Sequence, residues 1–207
     1  CGGCEIAVLN THEKILDVDA NFEVVFWPVA MDAKYKDVEA MEDGSILLTL
    51  FNGGIRNDEN EHLAKLLRRK SKIMVAFGSC ACEGCIPGLA NLSPVGEIVH
   101  TAYHTLTTDN PNEIYPRTTF DVPEGELHIP TLSPMLRPLD QVVDVDYYMP
   151  GCPPESHQIA PVIDLVIRSA GIRNATGADG SNKQRTKRLS REVAWTMGAV
   201  TAVQIVV

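Results

Sequence analysis

The chain has 207 residues, 44% of them hydrophobic and 22% charged, which suits an ordinary soluble globular domain with at most a small appendage. A net charge of −9 leaves no basic surplus to neutralise phosphates, arguing against a nucleic-acid partner. No apolar run reaches the roughly 18 residues that would suggest a membrane span. The first residue is Cys1 rather than methionine, which reads as a start cut short, so any targeting segment would be out of view.

Taken in chain order, hydrophobic spacing predicts alternating helices and strands. Ile6, Leu9, Ile15, Leu16 and Val18 suggest a helix over residues 5–17. "FEVVFWPV", residues 22–29, reads as a strand stopped by Pro28. "SILLTLF", residues 45–51, is a continuous apolar run of strand length, as expected for a strand covered on both faces. "DENEHLAKLLRRK", residues 58–70, opens on acids and closes on bases, the charge order that suits a helix dipole. "KIMVAF", residues 72–77, is a second buried strand. Residues 93–140, rich in proline, threonine and aspartate, read as a long irregular excursion. "VVDVDYYM", residues 142–149, is a further strand, and residues 155–171 a helix ending on glycine, with Pro161 near its first turns.

This alternation implies βαβ units and a mostly parallel sheet with helices on both faces. Ligands of such sheets bind at the carboxyl ends of the strands. The six cysteines fall there. Cys1 and Cys4 precede the first helix, where the end of a strand missing from the start of the sequence is expected. Cys80 follows the strand ending at Phe77, and Cys152 the strand ending at Met149. "CGGC" alone is ambiguous, since Cys-x-x-Cys before a helix is also a thiol-redox signature. Four thiolates on three converging loops can hold a [4Fe–4S] cube, one per iron. The adjacent Gly2, Gly3, Gly78 and Gly151 would let backbone N–H groups approach its sulfides. A Cys₄ zinc site is the alternative, although zinc ligands usually come as two close pairs.

The ordered set "CGGC", "GSCA" (78–81), "IPGLANL" (86–92) and "PGCPP" (150–154) resembles the small subunit of [NiFe] hydrogenases. "GGIRNDENEHL" (53–63) looks most like the cytosolic F420-non-reducing branch associated with heterodisulfide reductase. The likeness runs from Cys1 to about Gly171. It implies a flavodoxin-like domain over residues 1–171 with a [4Fe–4S] cluster at the carboxyl edge, held by Cys1, Cys4, Cys80 and Cys152. It also implies a cytoplasmic complex in which a large subunit carries the nickel–iron centre and a further iron–sulfur or flavin subunit takes the electrons. This chain alone would then have no hydrogenase activity. The quinone-site iron–sulfur subunit of complex I shares "PGCPP" but carries adjacent tandem cysteines where this chain has "CGGC". From a different class, a zinc-stabilised interaction module without redox activity is the other alternative.

Several residues lie outside that pattern. Asn52 stands where relatives often have glutamate, and no role is assigned to it. Cys85 reads as a small apolar packing residue and Cys82 as a spare thiol; the sharper alternative makes one of them a ligand. No cysteine follows Cys152, so the sequence supports one cluster. Glu5 could accept a proton, though first-turn acids are common for dipole reasons alone. His100 and His104 would share a helix face, but their segment offers no matching carboxylate, so they read as surface histidines, as do His12, His62, His128 and His157. The basic run at 181–191 reads as a solvated connection. The apolar tail at 193–207 is too short to span a bilayer and would dock on this domain or on a partner, and the extension 172–207 is assigned no structure. Neither a Walker loop nor a dinucleotide fingerprint occurs.

Overall fold

A computed structural model describes residues 2–105, 107–169 and 202–206. Cys1, the basic run 181–191 and the end of the last predicted helix therefore lie outside the described residues. The elements in chain order are α1 (Gly3–Leu9), α2 (Lys14–Asn21), β1 (Glu23–Val24), α3 (Tyr35–Glu39), β2 (Ile46–Phe51), β3 (Ile55–Asn57), α4 (Asp58–Lys70) and β4 (Ser71–Phe77). They continue with α5 (Ser79–Glu83), α6 (Cys85–Gly88), α7 (Val95–His100), β5 (Thr119–Val122), β6 (Gly125–His128), β7 (Leu132–Arg137), β8 (Tyr147–Met149), α8 (Ser156–Ser169) and β9 (Ala202–Val206).

Five strands form one sheet in the order β1-β9-β2-β4-β8, and every pairing in it is parallel. Helices cover both faces, as the alternation predicted. On one face, Leu48, Leu50, Val75 and Phe77 pack against Ala7 and Val8 of α1 and Ile159, Ile163 and Ile167 of α8. On the other, Phe51, Met74 and Ala76 meet Leu63, Ala64, Leu66 and Leu67 of α4. Central strands that bury both faces must be apolar throughout, which is why β2 and β4 read as unbroken hydrophobic runs. The α4 helix has the bounds its charge order predicted. Asn57 caps it by accepting the Asn60 N–H at 2.7 Å.

Elsewhere the boundaries differ. The single helix expected over 5–17 is two helices. The Thr11 hydroxyl donates to the Val8 carbonyl at 2.6 Å, and His12 takes a left-handed φ of 55°, which turns the chain between them. The strand expected over 22–29 shrinks to two residues, because the Trp27 carbonyl accepts the N–H groups of Ala30 and Met31 in a turn. The strand expected over 142–149 begins only at Tyr147, while Val142, Val143 and Val145 pack against the α4-side core. Residues 93–140 hold more regular structure than expected: α7 with a π-helical turn after it, the β5–β6 hairpin, and β7 paired antiparallel with β3. Part of the tail docks on this domain, since β9 lies between β1 and β2.

Candidate metal centre

Because β4 and β8 run parallel side by side, the loops that follow them leave the sheet on the same edge. Those two loops are tied together. The Gly78 N–H donates to the Met149 carbonyl and the Ser79 N–H to the Gly151 carbonyl, both at 2.8 Å. In return the Gly151 N–H donates to the Ser79 hydroxyl at 3.0 Å. Cys80, on α5, and Cys152 are thereby held on one rim.

Cys4 reaches the same rim from α1. A Cβ on Gly78 would collide with the Cys4 sulfur, so the two loops and the helix meet at that point. Gly78 has φ 86° and ψ 153°, a conformation essentially reserved for glycine. Gly151, at φ 148°, has Pro154 Cα within 2.5 Å of where a side chain would begin. These glycines act through the side chain they lack. The N–H groups of Gly78 and Gly151 are themselves committed to bonds between the loops.

The thiols sense one another. Burial pushes the Cys4 thiol up to about 11, with the neighbouring Cys80 and Cys152 sulfurs adding to the effect. Cys80 is raised by burial first, then by Cys85 and Cys152. Three of the four predicted ligands thus share one electrostatic neighbourhood; the fourth, Cys1, is outside the described residues. Among the described residues no three His, Cys, Asp or Glu side chains gather closely enough to grip a single ion.

The two remaining cysteines divide in a way their sequence positions did not reveal. Cys82 turns inward, donates to the Ala76 carbonyl at 3.3 Å and packs on the α4-side core. Cys85 stands next to the Cys80 sulfur, takes a left-handed φ of 46°, and lines a cavity of about 250 Å³ with Met135 and Leu136. The packing role expected of Cys85 therefore belongs to Cys82. The loop carrying these residues is clamped by the asparagine of "IPGLANL". The Leu136 N–H donates to Asn91 Oδ1 at 2.7 Å, and Asn91 Nδ2 donates to the Leu136 carbonyl at 2.8 Å.

Beside Cys4 lies a second polar group. Glu5 is fully buried, and its two carboxylate oxygens, the Trp27 indole N–H and the Asn52 amide nitrogen all lack a well-formed hydrogen bond. Burial raises the Glu5 carboxyl, while the Val29 backbone N–H, Trp27 and Asn52 pull it the other way. A first-turn acid explained by the helix dipole alone would be solvated; this one is enclosed. Asn52, given no role from the sequence, belongs to its enclosure.

A parallel α/β sheet carrying cysteines on the loops of one carboxyl edge defines a class, and comparison with known proteins supplies the family. The chain belongs to the family described as NADH ubiquinone oxidoreductase, 20 Kd subunit, which it matches over residues 1–166. Within that family it is similar to an iron-sulfur subunit of the F420-non-reducing hydrogenase from Archaeoglobus profundus, 47% identical over 169 residues, covering 81% of this chain and 53% of the relative. It is also similar to the corresponding F420-non-reducing hydrogenase subunit from Methanothermobacter marburgensis, 36% identical over 83% of this chain and 52% of the relative. The chain spans about half the length of these curated relatives. A crystal structure of NAD+-reducing [NiFe]-hydrogenase in the H2-reduced state contains a similar fold, with TM-score 0.67 and 27% identity over 84% of this chain and 88% of that one.

Proposed function

We propose that this chain is the iron–sulfur, electron-transfer small subunit of a cytoplasmic [NiFe] hydrogenase, and that Cys1, Cys4, Cys80 and Cys152 hold one [4Fe–4S] cluster. The observation that carries this reading is the meeting of Cys4, Cys80 and Cys152 on one sheet edge, around a glycine that no other residue can replace without striking a ligand. The donor set fits. A cube offers each thiolate its own iron, so its sulfurs spread wider than around one zinc ion, where each bond is only about 2.3 Å. When bound, the cluster supplies a one-electron carrier.

The chain's own residues then bind and shield. Unpaired, the Cys4 and Cys80 thiols resist ionisation, chiefly through burial and then through neighbouring sulfurs; iron would remove that penalty, because a coordinating thiol is deprotonated. Phe77 and Met149, both buried, end their strands beneath the rim and exclude water from below. Beside the rim, Ile86, Leu89, Leu92 and Met135 are exposed, Leu92 by 85%. Such a patch suits an extensive partner interface, and the proposed occupant is the large subunit bearing the nickel–iron centre. A further iron–sulfur or flavin subunit of heterodisulfide reductase type would exchange electrons with this one. No described helix is long and apolar enough to cross a membrane.

Anaerobic purification of the protein with its complex tests the reading. The expected product is brown, bleaches with dithionite, and includes about four irons and four acid-labile sulfides attributable to this chain beyond those of its partners. Alanine at Cys4, Cys80 or Cys152 should lose that content. A colourless protein holding stoichiometric zinc would overturn the proposal.

A further inference from the structure

The excursion after α7 folds back on itself. Asn110 accepts the Ile114 N–H at 2.9 Å and donates to the carbonyls of Tyr103 (3.0 Å) and Ile114 (2.9 Å). The Thr108 hydroxyl donates to the Ala102 carbonyl at 2.8 Å. These bonds bring residues 113–115 alongside the end of α7 and its π-helical turn, Thr101–Thr105. Such turns are uncommon and recur at functional sites. Glu113 sits at a left-handed φ of 51°, rare for a residue with a side chain.

His100 and His104 stack on one face of this helix with ring centroids 4.8 Å apart and planes tilted by 35°. Each ring has an oxygen on the side of its Nδ1, within hydrogen-bond distance at His100 and farther off at His104. The Tyr115 hydroxyl lies 3.1 Å from His100 Nδ1, and Glu113 Oε1 lies 3.8 Å from His104 Nδ1, which a small rotation of these exposed side chains would close. In the tautomer whose Nδ1–H donates to such an oxygen, Nε2 is left as the lone-pair nitrogen; the Tyr115 hydroxyl can serve as acceptor or donor, and the Glu113 carboxylate only as acceptor. Metal-binding histidines are commonly oriented in this way by a carboxylate or other oxygen behind the ring.

We propose that His100 and His104 form a surface site for a divalent transition-metal ion such as zinc, cobalt or nickel, bound through their Nε2 atoms, with Glu113 and Tyr115 orienting the rings. Neutral imidazole pairs suit this class of ion, at Zn–N bonds of about 2.0–2.1 Å. Among the described residues no third protein ligand joins them, so water or a partner's side chain completes the shell. The site is separate from the cysteine rim and does not rest on the redox reading.

The test titrates Zn²⁺ and Co²⁺ into the protein as purified with its native complex, with circular dichroism confirming that each variant is folded. Wild type should bind one ion that His100→Ala and His104→Ala each lose. Glu113→Gln should weaken it about 10–100-fold, the usual effect of removing an orienting partner. Bound Co²⁺ should show no thiolate charge-transfer band. Binding unchanged in both histidine variants, a thiolate band, or no binding by wild type would each overturn the inference.

Discussion

Gly78→Ala probes the rim most sharply. At φ 86° and ψ 153° an alanine is strained by about 1–3 kcal/mol, and its methyl group must also push the Cys4 sulfur aside. For a chain of this size 1 kcal/mol moves the melting temperature by roughly 2–4 °C, so thermal unfolding should fall by about 2–12 °C. If Cys4 is a ligand as proposed, displacing its sulfur should cost metal retention as well, on the order of 10–100-fold, comparable to disturbing an orienting contact. Thermal melts followed by circular dichroism, together with iron and sulfide analysis, measure both effects. Gly88→Ala is the control. Gly88 has an ordinary helical φ of −65° with open space where the methyl would go, so it should melt at the same temperature or slightly higher. The reasoning fails if Gly78→Ala melts like wild type and keeps its iron.

The two extra cysteines should behave differently. Cys82→Ala, which loses only a core contact and one weak hydrogen bond, should keep full iron content and an unchanged reduction potential; Cys85→Ala should keep its iron but shift the potential in a redox titration, because it removes the thiol beside Cys80. Glu61 is held down to about 2 by Lys65 and Arg137, so the stability it confers is complete above the ordinary 4.5 and drains away as pH falls towards 2. Glu61→Gln should flatten that part of an acid-unfolding profile, and an identical slope would refute the coupling. Leu67→Ala, at a fully buried position against the sheet, should cost about 2–5 kcal/mol in denaturant unfolding.

What could be read in advance tracks how local the deciding interactions are. The α4 helix carries its own cap, charge order and apolar face, and its ends were legible. The buried strands β2 and β4 announced themselves as apolar runs, and strand alternation placed Cys80 and Cys152 on one edge. The first helix was not legible in full, because its break depends on a hydroxyl bond at Thr11 and an unusual backbone at His12. Nor could spacing tell Cys82 from Cys85. They are three residues apart on a tight double turn, and which thiol meets Cys80 depends on the left-handed conformations of Gly84 and Cys85 between the two short helices. Glu113 escaped notice as a partner for His104 because the loop joining them closes through Asn110 and Thr108, side chains with no helical or strand periodicity.

The place of β9 in the sheet bears on how the protein is made. Its register runs Ala202 to Val206 against Ile46 to Phe51, and the same strand is the sheet neighbour of the two-residue β1. A ribosome delivers these residues after every other strand described, so the nascent sheet must wait with the flank of β2 uncovered. Pairings so distant along the chain form slowly, and a bare strand flank is an invitation to stick to other chains. Late closure of this sheet, with β2 left open on one side until β9 pairs with it, is the order of events this topology favours.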